Sequence, residues 1–251
     1  MSNSMRKFRS LISNAVGRAP RASLLMTFAA MVIHLSFSLR IQLLYDRSAL
    51  DHHELWRLLT CHWVHLSWDH LLWSAMTFLG LGSLCELMDK QKYCATVAAS
   101  ALLIPAALWW GMPDLVIYGG LSGIDCALYA LLMVLLIKRE IRSGSRLWVA
   151  CFALLLAGLI AKITYETITG LTIFVSNNHS GMVPVPLAHL VGGAVGTGIG
   201  LLKDRAIAGK SNQQGPGLPG GNQQTAQPHP VLEVIISPKR LTGRTGYQDK
   251  W

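Results

Sequence analysis

The stretch that decides the fold is "YGGLSGIDCALYALLMVLLI", residues 118–137, where glycines flank a serine at the start of a long apolar run. A helix needs about 20 apolar residues to cross a hydrocarbon core of about 30 Å. This run is long enough for one crossing, and Ser122 lies near its start. The stretch therefore predicts a membrane-spanning helix that carries an uncovered hydroxyl close to one end.

The composition of the whole chain agrees with a membrane protein. Apolar residues make up 51% of the 251 residues and charged residues only 14%, against roughly a quarter in soluble domains. Apolar segments of nearly spanning length recur along the chain, and they predict an all-α protein with six transmembrane helices. These segments lie at about 23–43, 67–87, 93–111, 119–137, 147–163 and 185–202.

The spans divide the chain into three regions. Residues 1–22 form a basic arm, residues 23–202 the six-span domain, and residues 203–251 a tail rich in Gly, Pro and Gln. Such a tail buries too little apolar surface to offset its ordering entropy, so we expect it to be disordered. The five cysteines include no C-x-x-C pair, and they imply neither a disulfide framework nor a zinc site.

The positions of Lys and Arg predict which helix ends face the cytoplasm, because positively charged loops stay inside. With six crossings, both termini are predicted to be cytoplasmic, and the loops at 44–66, 112–118 and 164–184 face outward. The net charge of +9 is then a topology signal, and we expect lipid rather than nucleic acid as the partner. The inner set is Arg6, Lys7, Arg9, Arg18, Arg21, Lys90, Lys92, Lys138, Arg139, Arg142 and Arg146, against Arg40, Arg47, Arg57 and Lys162 outside.

Polar residues inside the spans are the candidates for function, because an ionisable group is expensive to bury in a bilayer and usually has a use. Glu86 and Tyr129 are interpreted as packing residues, and Trp56 and Arg57 as interface anchors. The polar span residues are His34, Asp69, His70, Ser74, Glu86, Ser122, Asp125, Glu166 and His189.

Small residues recur at every fourth position in the fourth and sixth spans, a spacing that lets two helix backbones approach closely. Ser122 lies beside this face in span four, and His189 lies at its edge in span six. If the faces pack together, the hydroxyl and the imidazole meet, which is the minimal arrangement for nucleophilic catalysis. Each residue alone also has a purely structural interpretation. The small residues are Gly119, Gly123, Ala127, Gly192, Gly196 and Gly200.

The second span supplies a third set of polar groups. His65 and His70 lie at its outer mouth, and Ser74 lies one turn deeper. A donor such as His70 near Ser122 would stabilise the negative oxygen that forms when a hydroxyl attacks a carbonyl. We therefore expect three helices to converge on one outward-facing polar pocket.

Two other hydrolase chemistries lack their motifs. A metalloprotease needs H-E-x-x-H, and "HELWR" at 53–57 has no second histidine. The α/β-hydrolase elbow needs G-x-S-x-G after a strand, and position 124 is Ile.

Two further chemistries stay open at this point. Asp69 and Asp125 are the only candidates for a pair of catalytic carboxylates. Haem ligation by His34 with His70 or His189 is also compatible with the sequence, but it leaves the serine without a use.

The set of motifs resembles the rhomboid intramembrane serine proteases over residues 23–202. Motif order, spacing and span number all agree with that family, which implies a six-transmembrane-helix rhomboid bundle. The motifs are "WR" at 56–57, His65, His70, Glu86, "GLSG" at 120–123 and "AHLVGGAVG" at 188–196.

The resemblance implies a role for each site residue. Ser122 is the nucleophile and His189 the base, and His70 binds the oxyanion together with the serine's own backbone N–H. Gly120 and Gly123 support the serine by allowing tight packing around an uncovered hydroxyl. No third acidic residue and no cofactor or metal is implied.

Two positions depart from the family pattern. Ser74 stands where the family usually has Asn, and Cys126 where an aromatic ring often stacks on the histidine. Losing an oxyanion donor costs about 10² to 10³ in turnover. A rhomboid-like pseudoprotease that binds client helices without cleaving them is therefore the alternative.

Within the family, the compact layout, "WRLLTCHWVHLSWDHLL" at 56–72 and "TYETITG" at 164–170 resemble the rhombosortase branch. That branch implies a bacterial inner-membrane enzyme whose active site faces the periplasm. Its substrates are single-span proteins with a Gly-Gly carboxy-terminal sorting tail.

Overall fold

The computed structural model describes residues 19–171 and 185–203. Both ranges belong to one compact unit, Met1–Asp204. Most of the predicted basic arm and nearly all of the predicted disordered tail lie outside the described residues.

The described residues are mostly helical. Five longer helices are α5 (Trp68–Met88), α6 (Lys90–Gly111), α7 (Ser122–Ser143), α8 (Arg146–Thr169) and α9 (Pro186–Leu201). The other elements are α1 (Arg21–Leu35), α2 (Phe37–Leu43), β1 (Tyr45–Asp46), α3 (Arg47–Asp51), α4 (Arg57–Thr60), a 3-10 helix (Cys61–Trp63) and β2 (Ile117–Tyr118).

Local sequence explains where the long helices begin and end. Ser67 and Asp89 cap α5 and α6, since each side chain accepts a hydrogen bond from an N–H three residues later. Gly144 and Gly170 end α7 and α8 in the left-handed conformation, with φ of 77° and 66°. These boundaries lie within a few residues of the predicted spans, except that α7 and α8 each run about six residues further.

The span count differs in part from the prediction. In the described residues, the three helices α5, α6 and α8 are long and apolar enough to cross a membrane. The count rises to four if α1 and α2 together form one bent span. The segment 23–43 is not one straight helix, because the chain bends by 112° between α1 and α2. The break occurs at Ser36, whose backbone is extended and whose hydroxyl caps α2. Six crossings therefore remain a prediction.

Helix α7 lies at the centre of the bundle. It packs against α5, α6, α8 and α9, and almost all of its apolar residues are buried. A helix that is apolar all round belongs in a core. Helix α8 is peripheral, because the buried residues among its 24 are Leu159, Ile163 and Glu166. The serine at the start of α7 is thus carried by the most enclosed helix.

The backbones of α7 and α9 are in direct contact through the small residues predicted for that purpose. A Cβ atom added to Gly192 would collide with the Gly123 carbonyl oxygen, and one added to Gly196 would collide with that of Ala127. No side chain other than hydrogen fits between these helices. The predicted packing of the two small faces is confirmed for Gly123, Ala127, Gly192 and Gly196. It is wrong for Gly119, which precedes α7 and lies against the Val64 carbonyl.

The loop before Ser122 is fixed from two sides. Strands β1 and β2 pair antiparallel with Tyr45 opposite Tyr118. The Gly120 N–H donates a hydrogen bond of 3.1 Å to the Cys61 carbonyl in the 3-10 helix. These contacts hold the chain entry into α7 against the segment that leads to α5.

The far end of the bundle is held by a different set of polar contacts. Glu86 at the end of α5 accepts hydrogen bonds from the N–H groups of Ala22 and Ser23 at the start of α1. Lys92 of α6 and Lys138 of α7 donate to carbonyls at the end of α9. Lys138 is 16 residues from Ser122, about 24 Å along a helix. The serine and these lysines therefore lie at opposite ends of α7.

Candidate active site

The structure brings Ser122 and His189 together. Ser122 is the first residue of α7, and His189 lies in the first turn of α9, which begins at Pro186. The Nε2 atom of His189 is 3.1 Å from the Ser122 Oγ atom. The hydroxyl is partly exposed and the histidine is buried. The pair has the geometry of a serine with an adjacent base.

Gly120 and His70 are in tight contact beside this pair. The φ angle of Gly120 is +127°, and an added Cβ atom would lie 2.6 Å from both Cε1 and Nε2 of His70. Both the backbone conformation and the available space therefore require glycine. The imidazole of His70 thus lies against the "GLSG" motif, close to Ser122 as predicted from the sequence.

Gly120→Ala is expected to abolish most activity, because the new methyl group must push His70 out of place. Gly144→Ala is the matched control, since Gly144 also has positive φ, 77°, but no atom of residues 19–171 or 185–203 lies within 4 Å of an added Cβ. Both variants lose about 1 kcal/mol of stability from backbone strain, with a further loss for Gly120→Ala from crowding. Cleavage assays and thermal unfolding of both proteins measure the difference. Equal activity in the two variants would contradict the role of this contact.

His65 holds the same loop from the other side. Its Nε2 atom accepts a long hydrogen bond of 3.4 Å from the Leu121 N–H, and its ring meets that of His70 edge to face. Burial, with a further contribution from His70, lowers the pKa of His65 to about 3. A neutral ring is required for this acceptor role. His65 thus positions the backbone next to the serine.

The candidate oxyanion donors lie around Ser122. Helix α7 begins at this residue, so its N–H is in the first turn, where the helix supplies no acceptor. His70 adjoins Gly120 as described above. Ser74 is buried one turn further along α5, and within the described part of the chain its hydroxyl makes no hydrogen bond. Its role as a donor stays a prediction.

Glu166 is the site residue whose role the sequence reasoning missed. Its Oε2 atom is 2.8 Å from Nδ1 of His189, and its Oε1 atom is 2.7 Å from the Lys162 ammonium. The Lys162 ammonium is also 3.5 Å from Nδ1, but the carboxylate contact is much shorter. A carboxylate only accepts, so Nδ1 carries the proton and Nε2 is left to accept the serine O–H. The sequence did contain one sign of this arrangement, because Lys162 and Glu166 are four residues apart on one helix, a spacing that favours an ion pair.

Comparison with known proteins identifies the family. The family model for the rhomboid domain matches residues 52–205, more than half of the chain. The chain belongs to the rhomboid family. No curated protein matches it. Rhomboid domains act on transmembrane helices within the bilayer, and the apolar helices indicate a multi-pass membrane protein.

Two of the competing arrangements considered from the sequence, the Asp69–Asp125 pair and haem ligation by His189, are not assembled in this rhomboid domain. Asp69 is exposed and Asp125 is buried, and no hydrogen bond joins them. Both ring nitrogens of His189 are engaged by Ser122 and Glu166, so neither faces an iron. Within residues 19–171 and 185–203, no group of three His, Cys, Asp or Glu side chains is arranged to hold a metal.

A cavity of about 400 Å³ adjoins the site but does not contain the serine. It lies between the carboxyl end of α8 and the amino end of α9. Glu166, which lines it, also belongs to the hydrogen-bonded chain Ser122–His189–Glu166. Its lining is Met112, Ile163, Glu166, Thr167, Gly170, Pro186, Leu187 and Leu190.

Proposed function

We propose that this rhomboid protein is an intramembrane serine endopeptidase with a Ser122–His189 dyad. The observation that carries the proposal is the 3.1 Å contact between Nε2 of His189 and Oγ of Ser122, at the start of the central helix. The histidine is oriented to accept the serine proton, because its other nitrogen donates to Glu166. A structural serine needs no such partner.

The reaction follows from this geometry. His189 removes the Ser122 proton as Oγ attacks the peptide carbonyl, and His70 with the Ser122 N–H stabilises the oxyanion. Ser74, Gly120 and Gly123 support these donors. His189 then gives the proton to the leaving amine as the C–N bond breaks. Water attacks the acyl-enzyme and releases the second product.

We infer that the site faces the periplasm of a bacterial inner membrane, with both termini in the cytoplasm. The support is the charge distribution. Lys92 and Lys138, which belong to the predicted cytoplasmic set of Lys and Arg residues, donate to the carboxyl end of α9. Ser122 lies at the end of α7 opposite to Lys138. Six crossings are part of this proposal, with α1 and α2 forming one bent span.

The proposed substrates are single-span membrane proteins, in particular secreted proteins with a Gly-Gly carboxy-terminal sorting tail. The rhombosortase resemblance of residues 56–72 and 164–170 supports this class. Cleavage would occur near the outer end of the tail helix, at the depth of Ser122.

Co-expression with a tagged substrate of this kind tests the proposal. Wild-type protein is expected to release the tail, whereas Ser122→Ala leaves the substrate intact. A substrate in which Gly-Gly is replaced by Val-Val tests the branch, and equal cleavage of both substrates would leave a general rhomboid protease. If wild type and Ser122→Ala both bind the substrate and neither cleaves it, the protein is a client-binding pseudoprotease.

A further inference from the structure

A buried carboxylate on a peripheral helix needs an explanation. Glu166 is 2% exposed, although α8 buries few of its residues. Burying a charge costs several kcal/mol unless partners compensate for it. Both oxygens of Glu166 have such partners, His189 on one side and Lys162 on the other. The whole carboxylate is thus committed to the histidine and one counter-charge.

The geometry fits the catalytic cycle of His189. During attack the imidazole gains the serine proton on Nε2 while Nδ1 keeps its own, and the ring becomes positively charged. A carboxylate on Nδ1 fixes the tautomer that leaves Nε2 free, and it stabilises the imidazolium. Asp125, the other buried carboxylate near the site, makes no hydrogen bond with His189. Glu166 is the group placed for this task.

We propose that Glu166, held by Lys162, is a positioning residue for His189, so that the site works as a Ser-His-Glu triad. The inference rests on the proposed protease function. The proton on Nδ1 stays with the imidazole throughout, hydrogen-bonded to Glu166. The serine proton passes to Nε2 as the Oγ–C bond forms, and from Nε2 to the amine as the C–N bond breaks.

Lys162 determines which group of the side chain at position 166 faces His189. In Glu166→Gln, the amide oxygen prefers the Lys162 ammonium, which turns the amide NH₂ toward Nδ1 of His189. An NH₂ group donates, so Nδ1 must then accept, and the proton moves to Nε2. The histidine is left in the tautomer that cannot take the serine proton.

Steady-state cleavage of a single-span substrate by the full-length protein in liposomes tests the proposal. Glu166→Gln is expected to lower kcat by about 10²-fold or more with KM nearly unchanged, as expected for a wrong tautomer. Glu166→Asp recovers part of the rate. Adding Lys162→Met to Glu166→Gln also recovers part of it, because the amide oxygen is then free to face Nδ1. A merely structural role predicts no such recovery.

Glu86→Gln is the matched control, since Glu86 is also a buried, hydrogen-bonded carboxylate. It lies at the carboxyl end of α5, whereas the site residue His70 lies at the amino end of that helix. It is expected to lower the unfolding temperature and to keep kcat. Folding of each variant is followed by thermal unfolding, and the labelling rate of Ser122 by a serine-reactive probe gives a second readout. A Glu166→Gln protein with wild-type kcat and labelling rate would overturn the role of Glu166 but not the Ser122–His189 dyad. A wild type no faster than Ser122→Ala overturns both.

Discussion

His189→Ala is expected to slow cleavage of a membrane substrate by about 10³-fold or more, and Ser122→Ala by at least as much. Without the imidazole, nothing at 3.1 Å removes the proton from the Ser122 hydroxyl, and a neutral hydroxyl is a poor nucleophile. The measurement is kcat/KM for a purified single-span substrate in liposomes.

The double variant distinguishes a catalytic unit from two separate defects. Ser122→Ala with His189→Ala is expected to be no slower than the slower single variant, because the two residues act in one step. Ser100→Ala is the control, since Ser100 is a fully buried serine of α6 whose hydroxyl has no hydrogen-bond partner among the residues that the structure describes. Losses that multiply in the double variant would contradict the dyad.

Gly196→Ala is expected to destabilise the bundle by about 3 kcal/mol or more. The added methyl group collides with the Ala127 carbonyl oxygen, so α9 must move away from α7. The movement also separates His189 from Ser122, and cleavage falls with stability. Thermal unfolding in detergent, together with the cleavage assay, measures both effects.

Gly198→Ala is the matched control on the same helix. In the described part of the chain, an added Cβ at Gly198 has no atom within 4 Å, and alanine favours a helix over glycine by about 1 kcal/mol. Unchanged or slightly raised stability is therefore expected. Equal unfolding temperatures for the Gly196 and Gly198 variants would show that α7 and α9 are not in backbone contact.

The sequence predicted the centre of the site because its signals are local. Small residues four apart define a helix face without knowledge of the fold, and Ser122 and His189 are placed relative to those faces. The same spacing predicted the helix contact that Gly192 and Gly196 make. Family membership follows from motifs in the same stretches.

Other features depend on contacts that no local pattern encodes. The break at Ser36 falls inside an apolar run, and composition alone does not distinguish a bent pair of helices from one span. Glu166 and His189 are 23 residues apart on different helices, so no helical spacing in the sequence predicts their contact. Glu166 was recognised as a polar residue in a span, but its partner was not.

The structure shows what surrounds Cys126, one of the two positions that depart from the family pattern. Cys126, where an aromatic ring often lies, packs with Ala130, Leu159 and Ile163 between α7 and α8. His189 is held instead by a carboxylate on α8. We infer that orientation of the base by Glu166 replaces orientation by an aromatic ring.

Labelling of the folded, full-length protein with a serine-reactive phosphonate probe tests the central claim most directly, because it needs no known substrate. Peptide mapping of the wild type is expected to locate one adduct on Ser122. The adduct should be absent in Ser122→Ala and form at least about 10²-fold more slowly in His189→Ala. An unlabelled Ser122 in folded wild type, or labelling of His189→Ala at the wild-type rate, would contradict the account.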